Sequence, residues 1–275
     1  SDAGDRAAGC VPACGKMRRS HARRQAHLNM FPAPLPIRPH AFKLMAMGLA
    51  VLSLGMLASG SVQAQAVANC SSDGRKPPGL LVERFMSAEC TTCWSETTLP
   101  RSPRGAATLD WVAPSPTGED APMAAVARPE ALERLQALGH NGDDLREWEH
   151  RSAVGARGHR PRLRVAHGLA VGDHIGASLA FHAPAPSAQG PFTAWLALAE
   201  WLPAGTEGSP VARVLVRNVL TAPIDAQPAS NWPQLWRPMN VPEGAQPARL
   251  GVVGWVTDAR GQVIALAQAR CAAKP

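Results

Sequence analysis

The chain has 275 residues, 28 Lys/Arg against 21 Asp/Glu, a net charge of +7 and 45% hydrophobic residues. That is enough for one or two domains with cores of their own. The basic balance invites a polyanion partner, but its distribution excludes nucleic acid. Residues 1–66 hold eight of the Lys/Arg and two of the acids, which leaves the rest of the chain at +1 and without an electrostatic footprint.

The N-terminal segment accounts for that basicity. Arg38 and Lys43 precede an apolar run at 44–57, and Val62-Gln63-Ala64 and Ala64-Gln65-Ala66 offer small-residue cleavage sites. Residues 30–66 therefore read as a Sec-type signal peptide, with an apolar run too short for a comfortable membrane span. An uncleaved anchor is the alternative; a lipoprotein is disfavoured because Cys70 has no lipobox before it. Residues 1–29 read as a disordered extension or an over-extended reading frame, with Met30 as the natural start and no role for Cys10 or Cys14. The mature chain keeps Cys70, Cys90, Cys93 and Cys271. An even count in an exported chain points to disulfides and to an oxidising compartment, periplasmic or extracellular, with no membrane contact after cleavage.

Residues 69–78 are polar and turn-rich. Residues 79–86 form an apolar strand, followed by a turn and then Cys90-Thr91-Thr92-Cys93 opening a helix that Pro100 and Pro103 keep short. A second strand falls at 107–112, parallel to the first, after which 113–120 is a Pro/Gly loop. Pro129 starts a helix with Leu132, Leu135 and Leu138 on its apolar face and Gly139 as its stop. Glu130 and Arg134 form a charge pair on the solvated face. Residues 140–160 are polar and read as a loop, with a turn of helix near 145–150. Pro161 then opens a strand ending near Gly168.

From Ile175 the apolar period changes to two. Segments 175–182, 192–202, 211–220, 250–257 and 262–270 read as strands separated by Pro/Gly-rich turns, with Asp258-Ala259-Arg260-Gly261 as a tight hairpin. Trp195, Ala197, Ala199 and Trp201 point one way and Leu196, Leu198 and Leu202 the other, so both faces of that strand are covered. Five antiparallel strands in this length suggest a sandwich or half-barrel.

The strand–CxxC–helix order has a chemical rationale. The first Cys sits at a helix N-terminus, where free N–H groups favour a thiolate, and the second lies one turn on, within reach to resolve a mixed disulfide. The stretch resembles a secreted bacterial thioredoxin-like family, domain of unknown function 1223, whose hallmark reads Val-Glu-Leu-Phe-Thr-Ser-x-Gly-Cys-Ser-Ser-Cys-Pro. Val82, Glu83, Phe85, Ser87, Cys90 and Cys93 match. Thr91 and Thr92 replace serines, Glu89 replaces Gly and Trp94 replaces Pro. The resemblance covers about 15 residues. It implies an α/β thioredoxin-like domain, placed at 67–170, followed by an all-β domain at 171–275, an antiparallel β-sandwich. It brings no secure activity.

Three readings of Cys90 and Cys93 stand side by side: a redox-active pair, a structural short-loop disulfide, and a metal-handling thiol pair. Zinc needs two further ligands, and four thiolates with Cys70 and Cys271 fit poorly with an oxidising compartment; no cofactor is expected. A redox pair implies a protein thiol or disulfide as partner, with Cys90 attacking and Cys93 resolving. Glu89 beside Cys90 opposes its thiolate by like-charge repulsion, and Trp94 adds bulk where a substrate thiol approaches. Pro161 is the candidate for the cis-proline that faces the pair in thioredoxin-like folds, with an ordinary trans-proline opening an edge strand as the alternative. A Cys90–His167 pair is a further, weaker reading that depends on Pro161. Once Cys90 and Cys93 bond each other, Cys70 and Cys271 are left to form a disulfide. Trp232 and Trp236, four apart in a Pro-rich loop, either cap the second core or form an exposed recognition patch.

Overall fold

The computed structural model describes residues 70–100, 102–155, 161–183, 190–224 and 234–271. The leader at 30–66, the extension before it and Trp232 lie outside these residues. Two sheets make the body. The larger contains seven strands: β2 (Leu80–Ser87), β3 (Ala106–Ala113), β4 (Glu147–Ala153), β7 (Phe192–Leu202), β8 (Arg213–Ile224), β10 (Leu250–Thr257) and β11 (Val263–Arg270). Their order is β11-β10-β7-β8-β3-β2-β4. The smaller sheet has four strands, in the order β1-β5-β6-β9: β1 (Cys70–Ser71), β5 (Arg162–Val171), β6 (His174–His182) and β9 (Gln234–Asn240).

This arrangement overturns the expected pairing of an α/β thioredoxin-like domain with a separate all-β domain. β2 and β3 do run parallel, with Leu80 opposite Ala106 and Ser87 opposite Ala113. The helix α1 (Thr91–Trp94) lies in the connection between them. The surroundings differ. An α/β layer needs helices to cover both faces of its sheet. Among the described residues the α-helices are α1, of four residues, and α2 (Pro129–Ala137), of nine. The remaining cover comes from the second sheet. β3 also pairs with β8, at Asp110↔Leu215, so one sheet takes strands from both sides of residue 170.

The apolar pattern explains the layers. On β7, Ala194, Leu196 and Leu198 face the small sheet and pack against Val165, Ile175, Ala177, Leu179 and Phe181. Trp195, Ala197 and Ala199 point the other way, into a core shared with Leu81, Phe85, Leu109 and Trp111 and closed by Ala131 and Leu135 of α2. Period-two side chains buried on both faces are what a covered central strand requires. The sheets approach closely over Gly254, where an added Cβ would lie 2.5 Å from Val165 Cγ1 and 3.0 Å from Leu179 Cδ1. The β10–β11 hairpin turns at residues 258–261: Asp258 N–H donates to Gln262 O, and Gly261 takes a φ of +75°.

Three local expectations change. Residues 147–153 are a strand, antiparallel to β2, and not a loop. The segment is polar because it is an edge, where charged side chains discourage pairing with other chains. Only Trp148 reaches the core, 5.7 Å from the Phe85 ring. On α2 the inward stripe is Ala131, Arg134, Leu135 and the half-buried Leu138, whereas Leu132 is 36% exposed. Trp236 stands on strand β9, not in a loop, and is 55% exposed.

Arg134 is thus not on a solvated face. It is 2% exposed and forms a two-pronged ion pair with Glu83, itself fully buried, at 2.9 Å (Nε to Oε1) and 2.7 Å (Nη2 to Oε2). Its guanidinium also lies over Trp195 and Trp255, at 5.0 and 5.4 Å from the ring centroids, and those two indoles stack with 4° between planes. A planar cation suits both a carboxylate fork and an aromatic face. Replacing Arg134 by Ala leaves the Glu83 charge buried and unpaired, so the expected loss is about 3–5 kcal/mol. Urea unfolding checks this. The double change Glu83→Leu with Arg134→Met should recover much of the loss.

Candidate functional site

β2 delivers the cysteine pair. Ser87 ends the strand with its N–H on Arg146 O (3.1 Å), and the Ala88 N–H reaches Ala113 O of β3 (2.9 Å). The chain then turns, with Cys90 N–H on Ser87 O at 2.9 Å. Cys90 is the N-cap of α1, and its sulfur accepts the Cys93 N–H at 3.3 Å. The Thr92 hydroxyl lies 3.5 Å from the same sulfur. Cys90 and Cys93 are joined by a disulfide, with Cα atoms 5.3 Å apart. Both residues are nearly enclosed, at 9% and 5% exposure, among Met86, Ala88, Trp94, Val112, Leu202 and Leu215.

The C-terminal end of α1 is held by a cluster that the sequence reading did not find. Arg213 Nη2 donates to the carbonyl oxygens of Cys93 and Trp94, both at 2.8 Å. Its guanidinium lies 5.0 Å from the Trp94 ring centroid, and its Nε donates to Ser209 Oγ at 3.1 Å. These contacts satisfy carbonyls that a helix end leaves free. Trp94 is 8% exposed and packs in the same buried cluster as Cys90 and Cys93. Its indole N–H donates to Glu207 O at 2.6 Å. Glu207 takes a φ of +50°, rare for a residue with a side chain. Its carboxylate is gripped by Arg217 Nη2 at 2.9 and 3.0 Å, and Arg217 Nε also donates to buried Glu200 at 2.8 Å.

Asp110 completes the cluster from β3. Its Oδ2 accepts the Val214 N–H at 2.7 Å, and its Oδ1 faces Arg213 Nη1 at 3.5 Å and Arg84 Nη1 at 3.9 Å. Burial pushes the Asp110 carboxyl above its ordinary value, against the pull of the Val214 N–H and the two guanidiniums. Burial likewise lowers Arg213, with Asp110 opposing it. Partial burial raises Glu149, but hydrogen bonds from Arg151 and Arg84 outweigh it and hold that carboxyl below the usual range. A surface cavity of about 520 Å³ opens here, lined by Cys93, Arg84, Phe85, Trp148, Glu149 and Arg213 among others. Cys93 Sγ lies 3.7 Å from the Arg146 carbonyl oxygen.

The other singled-out residues fall elsewhere. Glu89 is exposed beside Cys90, with its Oε1 accepting from the Thr117 hydroxyl at 2.8 Å. Pro161 precedes β5 of the small sheet and lines a different cavity, with Lys76, Pro77 and Leu163. The strands alongside β2 at the cysteine end are β3 and β4, the latter preceded by Arg146. His167 lies on β5 opposite Cys70, not beside Cys90. Cys70 and Cys271 are joined by a disulfide, with Cα atoms 4.9 Å apart.

No family model and no curated protein matches the chain. Among solved structures, HBP35 of Porphyromonas gingivalis is similar over 70% of this chain and 74% of its own, at 9% identity and a TM-score of 0.48.

Arg213 is the group whose removal separates the clamp from the cysteines. Arg213→Met keeps much of the stem volume but strips the Cys93 and Trp94 carbonyls of their donor. It also leaves Arg84 as the guanidinium still facing Asp110. The expected loss in urea unfolding is about 3 kcal/mol or more. The Cys90–Cys93 bond should also be reduced faster by dithiothreitol under native conditions. Unchanged stability and reduction rate would show that the clamp does not position α1.

Proposed function

We propose that this is an exported protein whose Cys90–Cys93 pair exchanges disulfides with a protein thiol or disulfide. The observation that carries the reading is the position of Cys90 Sγ, which caps α1 and accepts the Cys93 N–H. A sulfur held against backbone N–H groups at a helix start is favoured as thiolate. The pair also contributes little as a staple. A ring of so few residues removes only about 2 kcal/mol of unfolded-chain entropy on the loop-closure model. Export is supported by the signal-like leader together with two disulfides.

The chemistry balances without a cofactor. A substrate thiolate attacks Cys90 Sγ and forms a mixed disulfide, while Cys93 leaves as a thiolate and takes up a proton. A second substrate thiolate then attacks the substrate sulfur, giving the oxidised substrate and a Cys90 thiolate. The reverse sequence reduces a substrate disulfide, with Cys90 attacking and Cys93 resolving. In either direction Cys90 is the exchanging sulfur, and the Arg146 carbonyl beside Cys93 can accept a hydrogen bond from its thiol once the pair is reduced. Glu89 modulates the pair by placing an exposed carboxylate next to Cys90.

A structural or binding role is the second reading, and the near-complete burial of both cysteines favours it. The reduction potential separates the two. Exchange proteins fall at roughly −120 to −270 mV, and structural disulfides lie below about −300 mV. The pair is expected in the first range. Brief alkylation of the reduced protein should label Cys90 before Cys93. Glu89→Gly should lower the Cys90 pKa modestly, read from thiolate absorbance against pH, because water and salt screen that carboxylate. A potential below −300 mV, or a Cys90 that reacts no faster than a free thiol, removes the exchange reading.

A further inference from the structure

A second group of soft ligands lies in the small sheet, away from the cysteine pair. Cys70 of β1 and His167 of β5 are direct register partners, and Cys271 follows β11. The two sulfurs and a ring nitrogen of His167 all lie within 4.8 Å of one another. Cys70 and His167 are 4% and 3% exposed, whereas Cys271 faces solvent. His167 Nδ1 is 2.9 Å from the Gly168 carbonyl oxygen, which fixes the Nδ1–H tautomer and leaves the Nε2 lone pair free. Nε2 is buried and has no hydrogen-bond partner among the described residues. An orphaned polar atom inside a protein needs a reason. Metal-bound histidines are commonly oriented by just such a bond from the other ring nitrogen to a backbone carbonyl.

We propose that Cys70, His167 and Cys271 form a latent Cys2His site for a thiophilic closed-shell cation, Zn²⁺ or Cu⁺, that opens when the Cys70–Cys271 disulfide is reduced. Two thiolates and one imidazole are the donor set both cations accept. Zinc–sulfur and zinc–nitrogen bonds of about 2.3 and 2.0 Å in tetrahedral geometry place ligand atoms roughly 3.5–3.8 Å apart, inside the present spread. The exposed side at Cys271 leaves room for water as a fourth zinc ligand, while Cu⁺ needs only the three. The redox step requires a dithiol. It is oxidised to its own disulfide, and its two electrons and two protons go to the Cys70 and Cys271 sulfurs as their bond breaks. Metal binding then releases the two thiol protons to solvent.

The test uses the full chain with Cys10→Ser, Cys14→Ser, Cys90→Ser and Cys93→Ser, so that only Cys70 and Cys271 remain as thiols. Reduced anaerobically, it is titrated with Co²⁺ as a spectroscopic stand-in for Zn²⁺, and separately with Cu⁺ against a chromophoric chelator. One equivalent should bind in at least one arm. In the cobalt arm this appears as sulfur-to-cobalt charge transfer, reversed by Zn²⁺, and the tighter arm identifies the cation. The oxidised chain should not bind. His167→Ala, which keeps both thiols, should weaken binding at least about tenfold, since loss of an outer-shell partner alone costs that much. Binding by neither cation, equal binding by the oxidised chain, or unchanged affinity in His167→Ala overturns the proposal. Loss of near-ultraviolet dichroism on reduction that added metal does not restore also overturns it.

Discussion

The seven-stranded sheet is fastened at its middle by one carboxylate. To one side of the β3–β8 seam, β2 and β3 pair along their full length; to the other, β7 and β8 pair over eleven positions. Between them the β3–β8 ladder is reduced to Asp110 opposite Leu215. Asp110 makes up part of the shortfall with its side chain. It accepts the Val214 N–H of β8 and faces Arg213 of that strand and Arg84 of β2. A charged group at a buried seam is costly unless several partners surround it. Here the partners come from the two strands that flank β3, so the carboxylate is satisfied only when β2, β3 and β8 are all in place. The cost of burying it therefore favours one register over its alternatives.

The cysteine helix depends on the same seam. Four residues are too few to hold a helix by propensity, and α1 has a cap at its start and a cation at its end. That cation is Arg213, oriented by Asp110 and Ser209 and stacked on Trp94. Trp94 in turn ties α1 to the loop carrying Glu207, whose carboxylate is held by Arg217. The geometry of Cys90 and Cys93 thus rests on residues more than 100 positions away in the chain. Oxidation or reduction of the pair acts on a helix whose far end is already fixed.

The sequence showed its strands where apolar residues recur at period two or run unbroken, as in β2, β3, β7, β10 and β11, and it showed the Asp258–Gly261 turn through its residue types. It misled where a charge is buried. Arg134 reads as solvent-facing because arginine mostly is, yet the inward stripe runs through it to meet Glu83 and two indoles. β4 reads as a loop because an edge strand with charged side chains has little apolar pattern beyond Trp148. The fold class failed for a third reason. A strand–CxxC–helix–strand unit reports on its own residues, 80–113, and nothing local to it says that β8 will pair with the outer side of β3. Such a pairing depends on Asp110, Arg84 and Arg213 meeting, and no spacing in the sequence announces contacts across separations of 26 to 103 residues.

The two disulfides differ in what they constrain. Cys70 and Cys271 are separated by 201 residues, and Cys90 and Cys93 by three. On the loop-closure model the first removes about 5 kcal/mol of unfolded-chain entropy, an upper figure where strain intervenes, and the second about 2. The long-range bond is therefore the one whose loss the fold would feel. It joins the short strand β1 to the end of β11, so it ties the small sheet to the edge of the large one. His167 sits at that joint, with a ring nitrogen within 4.8 Å of both sulfurs. A cation held there by two thiolates and an imidazole would restore the same tether between β1 and the segment after β11, with β5 added to it. Reduction then need not free the two sheets from each other: it can replace a covalent link by a coordinate one at the same place.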